Sequence, residues 1–373
     1  MPTNKPIKKL FISDIHYGKD KNKQQTETID RFFLDHMPTY IDYLILSGDV
    51  YDKQIPLGSD AAIESMEGLI KMAKFCVLHD ITFIILEGTP SHDRKQIRMF
   101  SKVVEELLPD LDYHYITDLC VRTFKDNHTM LFIPDEIRPT TQQTYLDVVS
   151  LLQEHNVETV DSCVMHGAFK HSLAIAPEEH LHNEEELLNL VEGFIVSGHI
   201  HKFQCFNRII TPGSFERLQH NEEEAKGGVL TIEFVKEPHK NEFRFLENEH
   251  AKIFKTIHIE TETMDEMFLQ LNDYILSTPH GSNFALKFEA NNPLFQHKSF
   301  IQNYPDHNIT FVKKDEDNIL LSETTTEDQE HWVGFEPHLI EPFKLYHTVA
   351  SRLEGKIEDK ALLETINNYI DKL

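Results

Sequence analysis

The chain of 373 residues is short of several things, and each shortage narrows what it can be. Its four cysteines, Cys76, Cys120, Cys163 and Cys205, lie far apart with no CxxC pair. That spacing argues against a zinc-finger or disulfide framework and makes buried free thiols the expectation. No apolar run approaches the roughly 18 residues of a membrane helix, so no membrane partner is expected. The opening MPTNKPIKK lacks the apolar stretch of a secretory signal, which makes the cytoplasm of a bacterial cell or a virus-infected host the expected location. Basic residues are few, 36 against 62 acidic, for a formal charge of −26. Such a surface repels polyanions and counts against unaided nucleic-acid binding, although metal ions or a basic partner supply local positive charge. What the chain does have is a hydrophobic share of 40% and 23 histidines. The first implies a folded globular protein; the second raises the question of which histidines are placed with a purpose.

Short apolar runs recur as KKLFISDI, YLILSGD, TFIILEG, TMLFIPDE, DSCVMHG and GFIVSGH. Helical patterns fall between several of them, around residues 23–38, 59–79, 140–156 and 178–191. This alternation predicts βαβ units and a largely buried sheet, an α/β fold. FQCFNRIITPGS and GGVLTIEF read as antiparallel strands closing the region near residue 235. Beyond residue 250, IFKTIHIE, NFALKFEA and NITFVKKD read as strands around helix candidates near 263–277 and 294–303, a second and smaller α/β unit. The polar, acidic SETTTEDQEHWVGFEP reads as a linker. It leads to two amphipathic helix candidates, striped by Leu345, Val349 and Leu353 and by Leu362, Ile366 and Ile370. The expected organisation is a domain over 1–250, a small domain over 251–322, and a linker with C-terminal helices over 323–373.

The strand ends carry a pattern. They deliver Asp14 and His16 in SDIH, Asp49 in SGDVYD, His92 and Asp93 in GTPSHD, His166 in VMHG, and His199 and His201 in SGHIH. In an open α/β sheet, sites form beyond the carboxyl ends of the strands, so these groups are expected to converge. Aspartate with neutral imidazole suits divalent transition ions. There are more such donors than one ion needs, whereas two ions sharing a carboxylate would use them all. A pair about 4 Å apart is the recurrent device for phosphoester hydrolysis. Taken singly, each motif is ordinary turn chemistry. The ordered set, with Gly48, Gly167 and Gly198 turning the backbone sharply beside the ligands, is not.

In that order, DIH, GDVYD, a Gly-bounded HD, MHG and GHIH resemble the motifs of the calcineurin-like metallophosphoesterases. TPGSFERL directly after GHIH, followed by EEEAKGGVLTIEF, is similar to the SbcD-type nucleases of DNA break repair. The resemblance covers residues 8–235 most closely. It implies a β-sandwich flanked by helices, a smaller α/β capping domain, a helical tail and two divalent metal ions, Mn²⁺ first, with Mg²⁺, Fe²⁺ or Zn²⁺ as alternatives. By the same resemblance, Asp14, His16 and His201 hold the first metal, Asp49 bridges both, and His166 and His199 hold the second. His92 stands beside the metals and contacts the phosphate. Asp52 is placed to orient His92. The family's usual motif is Gly-Asn-His-Asp/Glu, whose Asn ligates the second metal. Here the stretch is Gly88-Thr89-Pro90-Ser91-His92-Asp93, two residues longer and without Asn. Anchored on His92-Asp93, Ser91 takes the Asn position as a metal ligand, or else it caps the helix-like stretch that follows.

The resemblance further implies DNA as substrate and an SbcC-like coiled-coil ABC ATPase as partner, docked on the segment after the cap, and a homodimer. EEHLHNEEELL, with His180 and His182, reads as a solvated helix start. Lys170, Lys202, Arg208 and Arg217 flank the ligands as candidates for backbone phosphates. Two other readings stand beside a DNA nuclease: a phosphatase or small-molecule phosphodiesterase of the same superfamily, which suits the acidic surface, and a metal-binding scaffold subunit, which suits the missing Asn.

Overall fold

The apolar runs are continuous, not alternating, as expected of strands covered on both faces. The computed structural model describes residues 5–19, 22–36, 40–124, 127–135, 138–172, 177–220, 222–289 and 291–314. In chain order these form β1 (Ile7–Ile12), α1 (Asn22–His36), β2 (Tyr43–Ser47), α2 (Asp60–His79), β3 (Thr82–Leu86), α3 (Ile97–Leu107), β4 (Tyr113–Ile116), β5 (Cys120–Thr123), β6 (Thr129–Ile133) and α4 (Thr141–Glu154). There follow β7 (Ser162–His166), β8 (Ala168–Phe169), β9 (Leu181–His182), α5 (Glu184–Leu188), β10 (Ile195–Gly198), β11 (Gln204–Phe206), β12 (Ile209–Thr211), β13 (Gly227–Glu233) and β14 (Glu242–Glu247). A second set is β15 (Phe254–Ile259), α6 (Met264–Leu276), β16 (Asn283–Phe288) and β17 (Asn308–Lys313).

Two six-stranded sheets, ordered β14-β13-β1-β2-β3-β4 and β11-β12-β10-β7-β6-β5, make up the larger unit. Both are mixed: β1 to β4 run parallel, as do β6, β7, β10 and β12, with antiparallel strands at the margins. Strand residues point alternately to opposite faces. Ile45, Ile84, Phe132, Val164 and Val196 therefore meet in one buried layer between the sheets. Their neighbours Leu44, Leu46, Phe83 and Ile85 face the other way, onto Phe32 of α1, Leu69 of α2 and Phe100 of α3. On the far sheet, Leu131, Ile133, Cys163 and Met165 face Val148 and Leu152 of α4 and Leu187 of α5. The result is helix, sheet, sheet, helix, with the central strands of both sheets buried on both faces and the marginal strands β5, β11 and β14 partly exposed.

The helix ends follow from local chemistry. Ser59 and Thr140 cap α2 and α4 by accepting from the backbone N–H groups of Ala62 and Gln143, which satisfies donors that an uncapped helix leaves open. Two expected helices shrink. The segment expected to be helical over 178–191 divides into a 3₁₀ turn, Glu178–His180, the short strand β9 and the five-residue α5. The helix expected near 294–303 is two 3₁₀ turns, Pro293–Gln296 and Lys298–Asn303, the first begun by a proline that suits a helix start. All four cysteines are free. Cys76 and Cys163 are buried, Cys120 is half-buried and Cys205 is exposed, contrary to the expectation of uniformly buried thiols.

The smaller unit is a parallel three-stranded sheet, β15-β16-β17. One face packs on Met267, Leu271 and Ile275 of α6, with Phe284, Leu286 and Phe288 from the central strand. Thr263 caps α6, and Asp265 and Glu266 in its first turn complement the helix dipole. This unit begins at His250 and also takes in Arg217–Glu223, so the division does not fall at a single point in the chain. The linker and C-terminal stripes expected over 323–373 lie outside the described residues.

Phe132 fills the layer between the two large sheets. Phe132→Ala should cost about 3–5 kcal/mol in urea unfolding. A loss below about 1 kcal/mol would mean that the sheets do not pack through this residue.

Candidate metal centre

The parallel strands carry their polar ends to one rim. Directly after β1 come Asp14 and His16, after β2 Asp49, and after β3 Thr89 and His92. The facing sheet contributes His166 as the last residue of β7, and His199 and His201 after β10, where Gly198 pairs with His166. The backbone bends hard to do this. Asp14, His16, Asp49 and His199 have φ of 50°, 54°, 49° and 87°. Left-handed conformations cost free energy in residues other than glycine and gather at functional sites.

Three donor groups result: Asp14, His16 and His201; Asp49, His166 and His199; and His16, Asp52 and His92. Asp49 stands between the first two. Its Oδ1 lies 3.3 Å from His166 Nε2 and its Oδ2 lies 3.9 Å from His16 Nε2. His16 Nε2 and His201 Nε2 are 3.2 Å apart, and His201 Nε2 is 3.9 Å from Asp14 Oδ1. Donors bound at about 2.0–2.2 Å to one ion stand roughly 3–4 Å from each other, which these separations match. Asp14, His16, Asp49 and His166 are all buried.

The imidazoles are held in fixed orientations. His166 Nδ1 donates to the Ser47 carbonyl at 2.8 Å, so Nε2 is the nitrogen left to face Asp49. His16 Nδ1 lies 3.3 Å from Asp52 Oδ1, close enough for the carboxylate to act on that nitrogen through its charge while Nε2 faces Asp49 and His201. Asp14 accepts from the His199 backbone N–H at 3.1 Å, tying the ends of β1 and β10 together.

Asp52 does not act as expected. His92 Nδ1 donates to its backbone carbonyl, and the Asp52 carboxylate faces His16 instead. The orienting carboxylate therefore serves a ligand histidine, and a peptide carbonyl serves His92. Ser91 also departs from expectation: it is exposed, and α3 starts at Ile97 after Gln96, so Ser91 does not cap it. The hydroxyl at the centre belongs to Thr89, whose Oγ1 lies 3.2 Å from Asp49 Oδ2 and 3.4 Å from His166 Nε2. Counting forward from Gly88 instead of back from His92 would have found it. Asp93, expected at the rim beside His92, has a structural part there: it is fully buried and accepts from the N–H groups of Tyr51 and Gly88, clamping two site loops together.

Of the flanking cations, Arg208 is occupied elsewhere, its guanidinium donating to the carbonyls of Leu188, Val191, Glu192 and Gly193. Arg217 donates to the carbonyls of Ala251 and Lys252 within the smaller unit. His182 is buried against Phe169, and burial brings its pKa down to about 4, so it is a neutral packing residue and not a solvated one.

Charge sharpens the picture. Burial alone would raise the Asp49 carboxyl, but His166, His16 and His92 together hold it well below the usual carboxylate range. Burial alone would lower His166, yet the Asp49 charge and hydrogen bond, with Asp14 and Asp135, carry it well above the usual imidazole range. His199 is lowered, by burial and by His166 beside it. Asp49 and His166 thus each favour the charged form of the other.

Searches found no family model and no curated protein that matches this chain. Among solved structures 41 chains match. One of them, a crystal structure, is 11% identical, with 65% of this chain and 100% of the other aligned at a TM-score of 0.39.

Two outcomes follow from this geometry. Gly48 has φ 94°, and a Cβ there would stand 2.1 Å from His166 Nδ1. Gly48→Ala should therefore displace His166, costing stability by about 1–3 kcal/mol and reducing metal binding measured by calorimetry; an unchanged calorimetric titration would contradict the packing. With chelator present, the His166 contribution to stability should be complete below its ordinary pKa of 6.5 and be lost as pH rises through the raised folded value. The Asp49 contribution should be present above about 3.9 and be lost on acidification. His166→Gln should remove the alkaline decline in chelated protein; a decline of unchanged size would place its cause elsewhere.

Proposed function

We propose that the chain is a two-cation metallophosphoesterase of the calcineurin-like kind that hydrolyses DNA phosphodiesters, an SbcD-type nuclease working with an SbcC-like coiled-coil ATPase. The observation that carries this reading is the Asp49 carboxylate, which presents Oδ2 to one donor group and Oδ1 to the other. A structural aspartate needs no such division. The layered pair of mixed sheets with helices outside supports the same reading, since it is compatible with the sandwich the sequence resemblance implies.

The donor set fits a pair of divalent ions. Asp14, His16 and His201 would hold one, His166 and His199 the other, and Asp49 would reach both. Carboxylate oxygen with imidazole nitrogen suits Mn²⁺ well, with Fe²⁺, Zn²⁺ and Mg²⁺ as alternatives. When bound, such a pair supplies an activated water and charge to clamp the phosphate oxygens.

The remaining work belongs to the chain. His92 stands edge-on to His16 with ring centroids 5.0 Å apart. Its Nδ1 is engaged by the Asp52 carbonyl, so Nε2 is the nitrogen that gives a proton to, or bonds with, the departing oxygen. The Asp52 carboxylate lies below its usual pKa, because His16 and Lys19 outweigh its burial, and so stays charged while it steadies His16. Asp93 keeps the turn that carries His92 against the loop that carries Asp49.

The formal charge of −26 favours a second reading, a small-molecule phosphodiesterase or phosphatase at the same centre, since DNA would be repelled at long range. The two separate in one assay. Mn²⁺-dependent degradation of linear DNA is expected, falling by about 10²–10⁴ in His92→Ala and abolished in Asp49→Asn. Turnover of a short chromogenic ester, with no cleavage of DNA by the chain alone or with its ATPase partner, would favour the second reading. DNA cleavage that survives both substitutions would overturn the assignment.

A further inference from the structure

The two donor groups are unequal. The first joins Asp14, His16 and His201 to one oxygen of Asp49. Among the described residues, the second group sets His166 and His199 beside the other oxygen, with no second carboxylate in the group. One further polar atom lies there, Thr89 Oγ1, 3.4 Å from His166 Nε2 and 3.2 Å from Asp49 Oδ2.

Thr89 is fixed there from three sides. Its backbone N–H donates to Asp49 Oδ1 at 2.6 Å. Its carbonyl accepts from the N–H groups of His92 and Asp93 at 2.8 and 3.0 Å. Gly88 before it lies so close to Asp49 that a Cβ would stand 2.1 Å from the Asp49 nitrogen. The two residues that lengthen the turn, Pro90 and Ser91, are exposed and loop outward. The insertion thus leaves Thr89 and His92 both facing the centre.

We infer that the Thr89 hydroxyl is the neutral oxygen donor of the second cation group, its hydrogen donated to Asp49 Oδ2 and its lone pair directed to the ion between Asp49, His166 and His199. This rests on the two-cation reading and adds an inequality to it. A hydroxyl on a short side chain is a weaker donor than a carboxylate, so the second ion binds less tightly than the first and leaves first.

Isothermal titration of the full chain with Mn²⁺, after chelator treatment, reads this without any turnover. Two classes of site are expected, separated by tenfold or more. Thr89→Val keeps the shape and the backbone N–H but lacks the hydroxyl; it should weaken the looser class by about 10–100-fold, the scale of lost support at metal sites, and leave the tighter class unchanged. Thr89→Ser should restore it. Thr89→Asn, with a carbonyl oxygen of longer reach, should tighten the looser class. Thermal unfolding of each variant with chelator shows that it is folded. If two ions bind and Thr89→Val leaves both classes intact, the hydroxyl is not a donor and this inference fails alone. If the unaltered chain binds one ion or none, the two-cation reading fails with it.

Discussion

Asp49 and His166 face each other across 3.3 Å in a buried place, and neither can be left with its lone pairs unanswered. A carboxylate opposed to an imidazole nitrogen needs a positive charge, either a proton or a cation. Across the rim His16 and His201 set two Nε2 atoms 3.2 Å apart, a distance that asks for a proton or a cation between them. Crowding acceptors together in a buried place costs free energy in the absence of a charge and provides binding in its presence. This constraint explains why the surrounding structure is so firmly built.

That firmness comes from the sheets. Parallel strands place equivalent ends at one rim, and the layer of Ile45, Ile84, Phe132, Val164 and Val196 locks one sheet against the other. Donors separated by nearly the whole of the larger unit therefore meet without depending on any single loop. Hydrogen bonds across the rim complete the arrangement: His199 N–H to Asp14, His166 Nδ1 to the Ser47 carbonyl, Tyr51 N–H to Asp93. The left-handed conformations at Asp14, His16, Asp49 and His199 are held by this frame, since each is unfavourable by itself.

Much of this was legible in the sequence. Apolar runs ending in Asp, Gly or His gave the parallel strands and their convergence, because strand polarity puts such ends on one side whatever the intervening loops do. Which polar side chains stand at that rim followed from their places at the strand ends. What escaped was what depends on register within a turn. Ser91 and Thr89 both offer a hydroxyl, and only the outward loop of Pro90 and Ser91 separates them. Asp52 has a carboxylate and a carbonyl, and residue type gave no sign that His92 would take the carbonyl. Arg208 read as a free cation, but four backbone carbonyls brought near only by the fold engage it. His182 read as solvated because acidic residues surround it in sequence, whereas Phe169 and burial surround it in space.

The most direct measurement is anomalous diffraction from a crystal soaked in Mn²⁺, collected at the manganese edge. Two peaks about 3.5–4 Å apart should flank the Asp49 carboxylate, one beside His16 and His201 and the other beside His166 and His199. A single peak, or a pair that Asp49 does not join, would contradict a carboxylate shared between two cations.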